Sequence, residues 1–142
     1  MRAFTFLFGL TLLLLIKLPA AAGEAAKVPT DEEATRLLVG GWILKVEPKE
    51  KMLGFGTIIF ALDGRFTAEL GINGAGKLNK VTIKGTWKVE KSVIVQEVTS
   101  SSVPQLLPAG VIGKDTILEL NERALVSRDE EGEIDHWAKD PG

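Results

Sequence analysis

From residue 40 onward the apolar positions recur at every second residue, and this period organises the chain. In "GWILKVE" (41–47), Trp42, Leu44 and Val46 fall on one face, and Gly41, Lys45 and Glu47 on the other together with Ile43. "RFTAELGI" (65–72) sets Phe66, Ala68, Leu70 and Ile72 against Arg65, Thr67, Glu69 and Gly71. "VTIKGTWKV" (81–89) sets Val81, Ile83, Trp87 and Val89 against Thr82, Lys84, Thr86 and Lys88. A period of two is that of a half-buried β-strand. "GTIIFAL", "SVIVQEV", "TILELNE", "ALVSRD" and "EIDHWAK" complete a set of eight short strands.

The links between strands carry turn residues. Asp63-Gly64 is a strong hairpin signal, and Glu130-Glu131-Gly132 is a second turn. "NGAGKLNK" (73–80) reads as a loose glycine-rich connection, and residues 99–113 read as a long loop. Short strands at this spacing predict an all-β barrel or sandwich. Sequential hairpin-length links favour an up-and-down meander. Ahead of the strands, "TDEEATRLL" predicts a short helix: Thr30 is its N-cap and Glu33 the partner in a capping box. Asp31, Glu32 and Glu33 complement the helix N-terminus, and Gly40 is the stop signal.

Residues 1–22 have the layout of a signal peptide. A minimal basic start (Met1-Arg2) and an apolar run from Ala3 to Ile16 precede Ala20-Ala21-Ala22, which fit the small-residue rule for cleavage. The alternative is retention as an anchor, although the run is shorter than the roughly 20 residues of a membrane span. The expected organisation is signal peptide 1–22, flexible arm 23–29, barrel 30–138 and tail 139–142. The expected location is secreted or periplasmic.

Charge narrows the partners. Without Arg2 and Lys17 the remaining chain carries 15 basic and 19 acidic residues. That balance argues against nucleic acid, which selects basic patches, and against stable docking on an anionic membrane. The chain has no cysteine, so packing rather than disulfides must stabilise it, and there is no thiolate site. A monomer is expected.

Candidate chemistry is sparse. His136 is the single histidine and adjoins Asp135, but strand neighbours point to opposite faces, so the pair does not form a triad arrangement. Ser100-Ser101-Ser102 lies in no nucleophile elbow. "DEEGEID" (129–135) alternates carboxylates, yet its spacing is not that of a calcium loop. Charges at a hairpin tip serve mainly solvation and edge protection. No metal, no cofactor and no catalytic residue is expected. The loop "SVPQLLPAGVIG" is the richest segment, with Val103, Leu106, Leu107, Val111 and Ile112 beside two prolines. It is a cap on the barrel, a ligand portal or a partner contact. Any cavity would be lined by Phe60, Phe66, Leu70, Ile83, Trp87 and Val95, with Leu106 and Leu107 at the entrance. In a filled barrel the inward-facing residues of that set are the core.

Leu38, Gly40, Trp42, Asp63-Gly64, Gly85, Trp87, Asp129, Gly132 and Trp137, in that order, resemble the small secreted bacterial lipocalin-like (calycin-type) domains. That resemblance covers residues 30–138. It implies an eight-stranded antiparallel barrel with a short N-terminal helix, in which Gly40, Trp42, Gly85 and Trp137 are structural. It also implies that Trp42 closes the barrel floor under an arginine from near the last strand, for which Arg123 and Arg128 are the candidates. The chain has no tyrosine and is shorter than the larger lipocalins, which favours a filled interior. The function expected is non-catalytic binding of a small apolar molecule. The alternative is a protein-interaction module, such as a secreted-protease inhibitor using the 24–29 arm.

Overall fold

The computed structural model describes residues 28–46, 53–74 and 76–142. The signal-peptide segment and most of the arm lie outside them. A helix, α1 (Asp31–Leu38), precedes eight strands: β1 (Gly40–Leu44), β2 (Leu53–Phe60), β3 (Arg65–Gly74), β4 (Lys77–Glu90), β5 (Val93–Ser101), β6 (Ile112–Leu120), β7 (Ala124–Arg128) and β8 (Ile134–Lys139). Each strand pairs antiparallel with its chain neighbour, and β1 also pairs with β8, so the sheet closes into a barrel. Closure removes the exposed edges that an open sheet of this size would present.

The expected period holds through the core. Trp42, Ile58, Phe60, Phe66, Ala68, Leu70, Val81, Ile83, Ile94 and Val98 are buried on the inner face. Two segments differ from the expectation. The 73–80 stretch is no loose connection, because β3 and β4 stay paired out to Gly74 and Lys77. Residues 77–80 are all exposed there, so this ribbon has no buried face and leaves no period for a pattern to reveal. The long loop is also shorter than expected, since β5 runs to Ser101 and β6 starts at Ile112.

The chain's up-and-down path sorts its turns to two ends. One end holds α1 and the β2–β3, β4–β5 and β6–β7 turns. At this end Thr30 Oγ1 accepts the Glu33 N–H at 3.2 Å, while the Glu33 carboxylate turns to Arg36. Asp31 is more than a first-turn acid. Its carboxylate accepts the N–H groups of Lys91 (2.7 Å) and Ser92 (2.9 Å), tying the helix to the β4–β5 turn. Lys91 and Ser92 have φ of 52° and 65°, the left-handed pair that a two-residue hairpin needs and that Asn-Gly normally supplies. The Asp31 bonds offset that strain.

Candidate functional site

The helix end is a plug. Trp42 is completely buried, and its indole N–H donates to the Leu38 carbonyl at 2.9 Å. The cation over its ring is Lys139, with Nζ 4.6 Å from the ring centroid. Lys139 Nζ also donates to the Val39 and Leu37 carbonyls at 2.7 and 3.1 Å, closing the C-terminus of α1. Neither Arg123 nor Arg128 takes this place. Barrel closure sets Trp42 directly opposite Lys139 in the β1–β8 register, whereas both arginines are exposed. Lys139 is therefore the last residue of β8 rather than the first of a tail. Burial lowers its pKa from the ordinary lysine value.

The two Gly-x-Trp units work for different reasons. Gly40 has φ +122°, and a Cβ there would come within 3.0 Å of the Lys139 side chain. Gly85 sits at a register shift in the β4–β5 pairing, where a Cβ would collide with the Glu97 carbonyl. Trp87 then packs on Phe60, with ring centroids 4.8 Å apart, and donates its indole N–H to Ala61 O at 2.9 Å.

Towards the other end the interior opens into a cavity of ≈ 80 Å³. Ligand sites for drug-sized molecules measure roughly 300–1,000 Å³, so this chamber takes a few heavy atoms or several waters. Phe60, Phe66, Leu70, Ile83 and Leu107 line it, as do Ile58, Ala68, Ile94, Val98, Leu125 and Trp137. Trp87 is buried nearer the plug and is absent from the lining. Val95 is a correction: β5 turns Ile94, Gln96 and Val98 inward, so the opposite phase carries Val95 to the outer face. Leu106 is a second correction, since it is 51% exposed while Leu107 is buried.

The 102–111 loop explains that last contrast. The N–H groups of Leu106 and Leu107 both donate to Val103 O at 2.9 Å, forming one helical turn. Ser101 Oγ donates to Leu107 O, and Gly110 N–H returns to Val98 O at 2.8 Å. The turn therefore hangs Leu107 into the barrel mouth, with Val111 beside it.

The chamber wall is two-sided. From β2 to β4 it is predominantly apolar. From β5 to β8 each strand adds one polar side chain, namely Gln96, Asp115, Ser127 and Asp135. Burial, followed by the nearby carboxylates of Asp129 and Glu130, raises the Asp115 pKa from 3.8 to about 7. Asp129 caps the β7–β8 turn: Oδ1 accepts the N–H groups of Glu131 and Glu133 at 2.9 Å, while Oδ2 is buried with no partner among the described residues. Desolvation and then the carboxylates of Asp129, Glu133 and Glu130 raise the pKa of Glu131. The sequence reading missed these inward polar groups. Their signal was phase, since Ser127 and Asp135 stand two residues from the apolar Leu125 and Trp137. His136 is exposed and, being adjacent to Asp135 in β8, faces away from the chamber. Among the described residues no group of three or more acidic or histidine side chains is placed to hold a metal.

A closed eight-stranded antiparallel meander, plugged at one end by a helix and a buried Gly-x-Trp, is a lipocalin-like barrel. The fold is similar to that of a lipocalin-like protein from Bacteroides uniformis ATCC 8492, with a TM-score of 0.50 and 17% sequence identity over 73% of this chain and 99% of that one. No protein-family model and no curated protein sequence matches the chain.

Proposed function

We propose that this protein is a secreted or periplasmic, non-catalytic binder of a small molecule, which it holds in the barrel chamber behind Leu107. The observation that carries this reading is the chamber itself, a partly enclosed and mostly apolar space under the 102–111 loop. Its size sets the class of ligand. A molecule of a few heavy atoms fits as the loop stands, and a longer one must displace Leu107 and Val111. The signal-peptide pattern of residues 1–22 supports export, and the acidic balance of residues 23–142 supports a small-molecule rather than a nucleic-acid partner.

Methyl-labelled NMR tests the reading with n-butanol as the probe. The expected result is saturable shifts confined to Ile58, Ile83, Ile94, Val98 and Leu107. No saturable shift with n-butanol or with its amine and carboxylate analogues, or shifts only at the outward-facing Ile59 and Leu62, would overturn it. In that event the exposed apolar positions Ile59 and Leu62 would favour protein interaction instead.

A further inference from the structure

We propose that the chamber selects small amines: the ammonium head binds at Asp115 on the polar wall, and the hydrocarbon part lies against the β2–β4 wall. This inference rests on the chamber-binding reading and deepens it.

Four adjacent strands each place one polar group inward. All four groups carry acceptor oxygens, and only Gln96 and Ser127 add donors. Asp115 is the decisive one. Its carboxyl opens into the cavity and makes no hydrogen bond or ion pair among the described residues. Gln96, across the β5–β6 pair, likewise makes no side-chain bond there. A second acceptor, Asp129 Oδ2, is buried and unpartnered close enough to act on Asp115. Buried acceptors of this kind are costly to leave unmade. A folded chain that keeps them inside an apolar chamber is suited to a ligand that donates.

An ammonium group supplies up to three donors and a positive charge. It meets the Asp115 carboxylate, with Ser127 on the adjacent strand β7 and Asp135 one strand further on, in β8. A neutral alcohol satisfies one acceptor and brings no charge. A carboxylate ligand would face Asp115, Asp129 and Glu130 with like charge, which excludes it. The opposite wall, of Ile58, Phe60, Phe66 and Ile83, then packs the short alkyl or aryl part.

The test compares n-butylamine, n-butanol and butyrate on the purified protein at pH 8, read by methyl NMR shifts of Ile94, Val98 and Leu107. The amine is expected to bind at least about tenfold more tightly than the alcohol, as one charge-assisted hydrogen bond allows. Butyrate is expected not to bind. Asp115→Asn should lower amine affinity about tenfold or more, with a smaller effect on the alcohol. Asp135→Asn provides a second variant if Asp115→Asn does not fold. Equal affinity for amine and alcohol, or an amine affinity unmoved by Asp115→Asn in a folded protein, would overturn the head-group assignment alone. Failure of all three probes would overturn the chamber-binding reading with it.

Discussion

Replacing Asp115 by Asn should stabilise the protein at neutral and alkaline pH while leaving acid stability nearly unchanged. The carboxyl is held at about 7 in the fold, against 3.8 when exposed. Between those values the native state keeps a proton that the unfolded chain has released, so stability falls as pH rises through this interval. Below it both states are protonated and above it both are ionised, and the contribution is flat. The full interval corresponds to up to about 4 kcal/mol, which is large against the total for a domain of this size. Burial sets most of the shift, followed by the carboxylates of Asp129 and Glu130 from the β7–β8 turn, while Asp135, Ser127 and Gln96 stand on the surrounding wall. Asn is nearly isosteric and does not titrate. Urea unfolding followed by tryptophan fluorescence at half-unit steps from pH 4 to 8.5 measures the difference between the two proteins. The difference should grow from near zero at pH 4 to a plateau above pH 7 that favours the variant. A flat difference, or a variant less stable at pH 8, would refute the assignment of a desolvated carboxyl to this wall.

Five further substitutions test the frame. Trp42→Ala should cost about 3–5 kcal/mol of unfolding free energy in urea titrations, as buried aromatic truncations do. Lys139→Met keeps the aliphatic stem but removes the bonds to Leu37 and Val39, and should cost about 1.5–3 kcal/mol, seen as a lower denaturant midpoint with an unchanged slope. Asp31→Ala should cost a similar amount, about 1.5–3 kcal/mol, and Ser92→Gly in that background should restore about 1 kcal/mol by removing a left-handed non-glycine residue. Gly85→Ala, which drives a methyl into the Glu97 carbonyl, should cost about 3 kcal/mol and shift the amide NMR signals of Glu97 and Val98.

The barrel was legible in the sequence because its strands bury one face only. Phe66, Ala68, Leu70 and Ile72 alternate with polar neighbours without interruption, and the chamber residues Phe60, Phe66, Leu70 and Ile83 follow from that phase. Three kinds of feature were not legible. The 77–80 segment pairs but buries nothing, so its composition is that of a loop. Val95 faces outward against the inward expectation because β5 is rich in β-branched residues at successive positions, and parity there depends on the pairing partner. Lys139 reaches a partner 100 residues away in sequence and Asp31 one 60 residues away, and only closure of the barrel and docking of α1 bring these partners near. The polar wall was readable but unread. Gln96, Ser127 and Asp135 all stand in phase with apolar neighbours, and a polar residue at an inward position signals either a buried network or a site.

Native mass spectrometry of the protein taken from the cells that make it, set beside the denatured spectrum, tests the central claim most directly. Binding in the chamber predicts a mass surplus that disappears on denaturation and is absent from a Leu107→Trp variant, whose indole would fill the mouth. Identical native and denatured masses, or a surplus that survives Leu107→Trp, would contradict it.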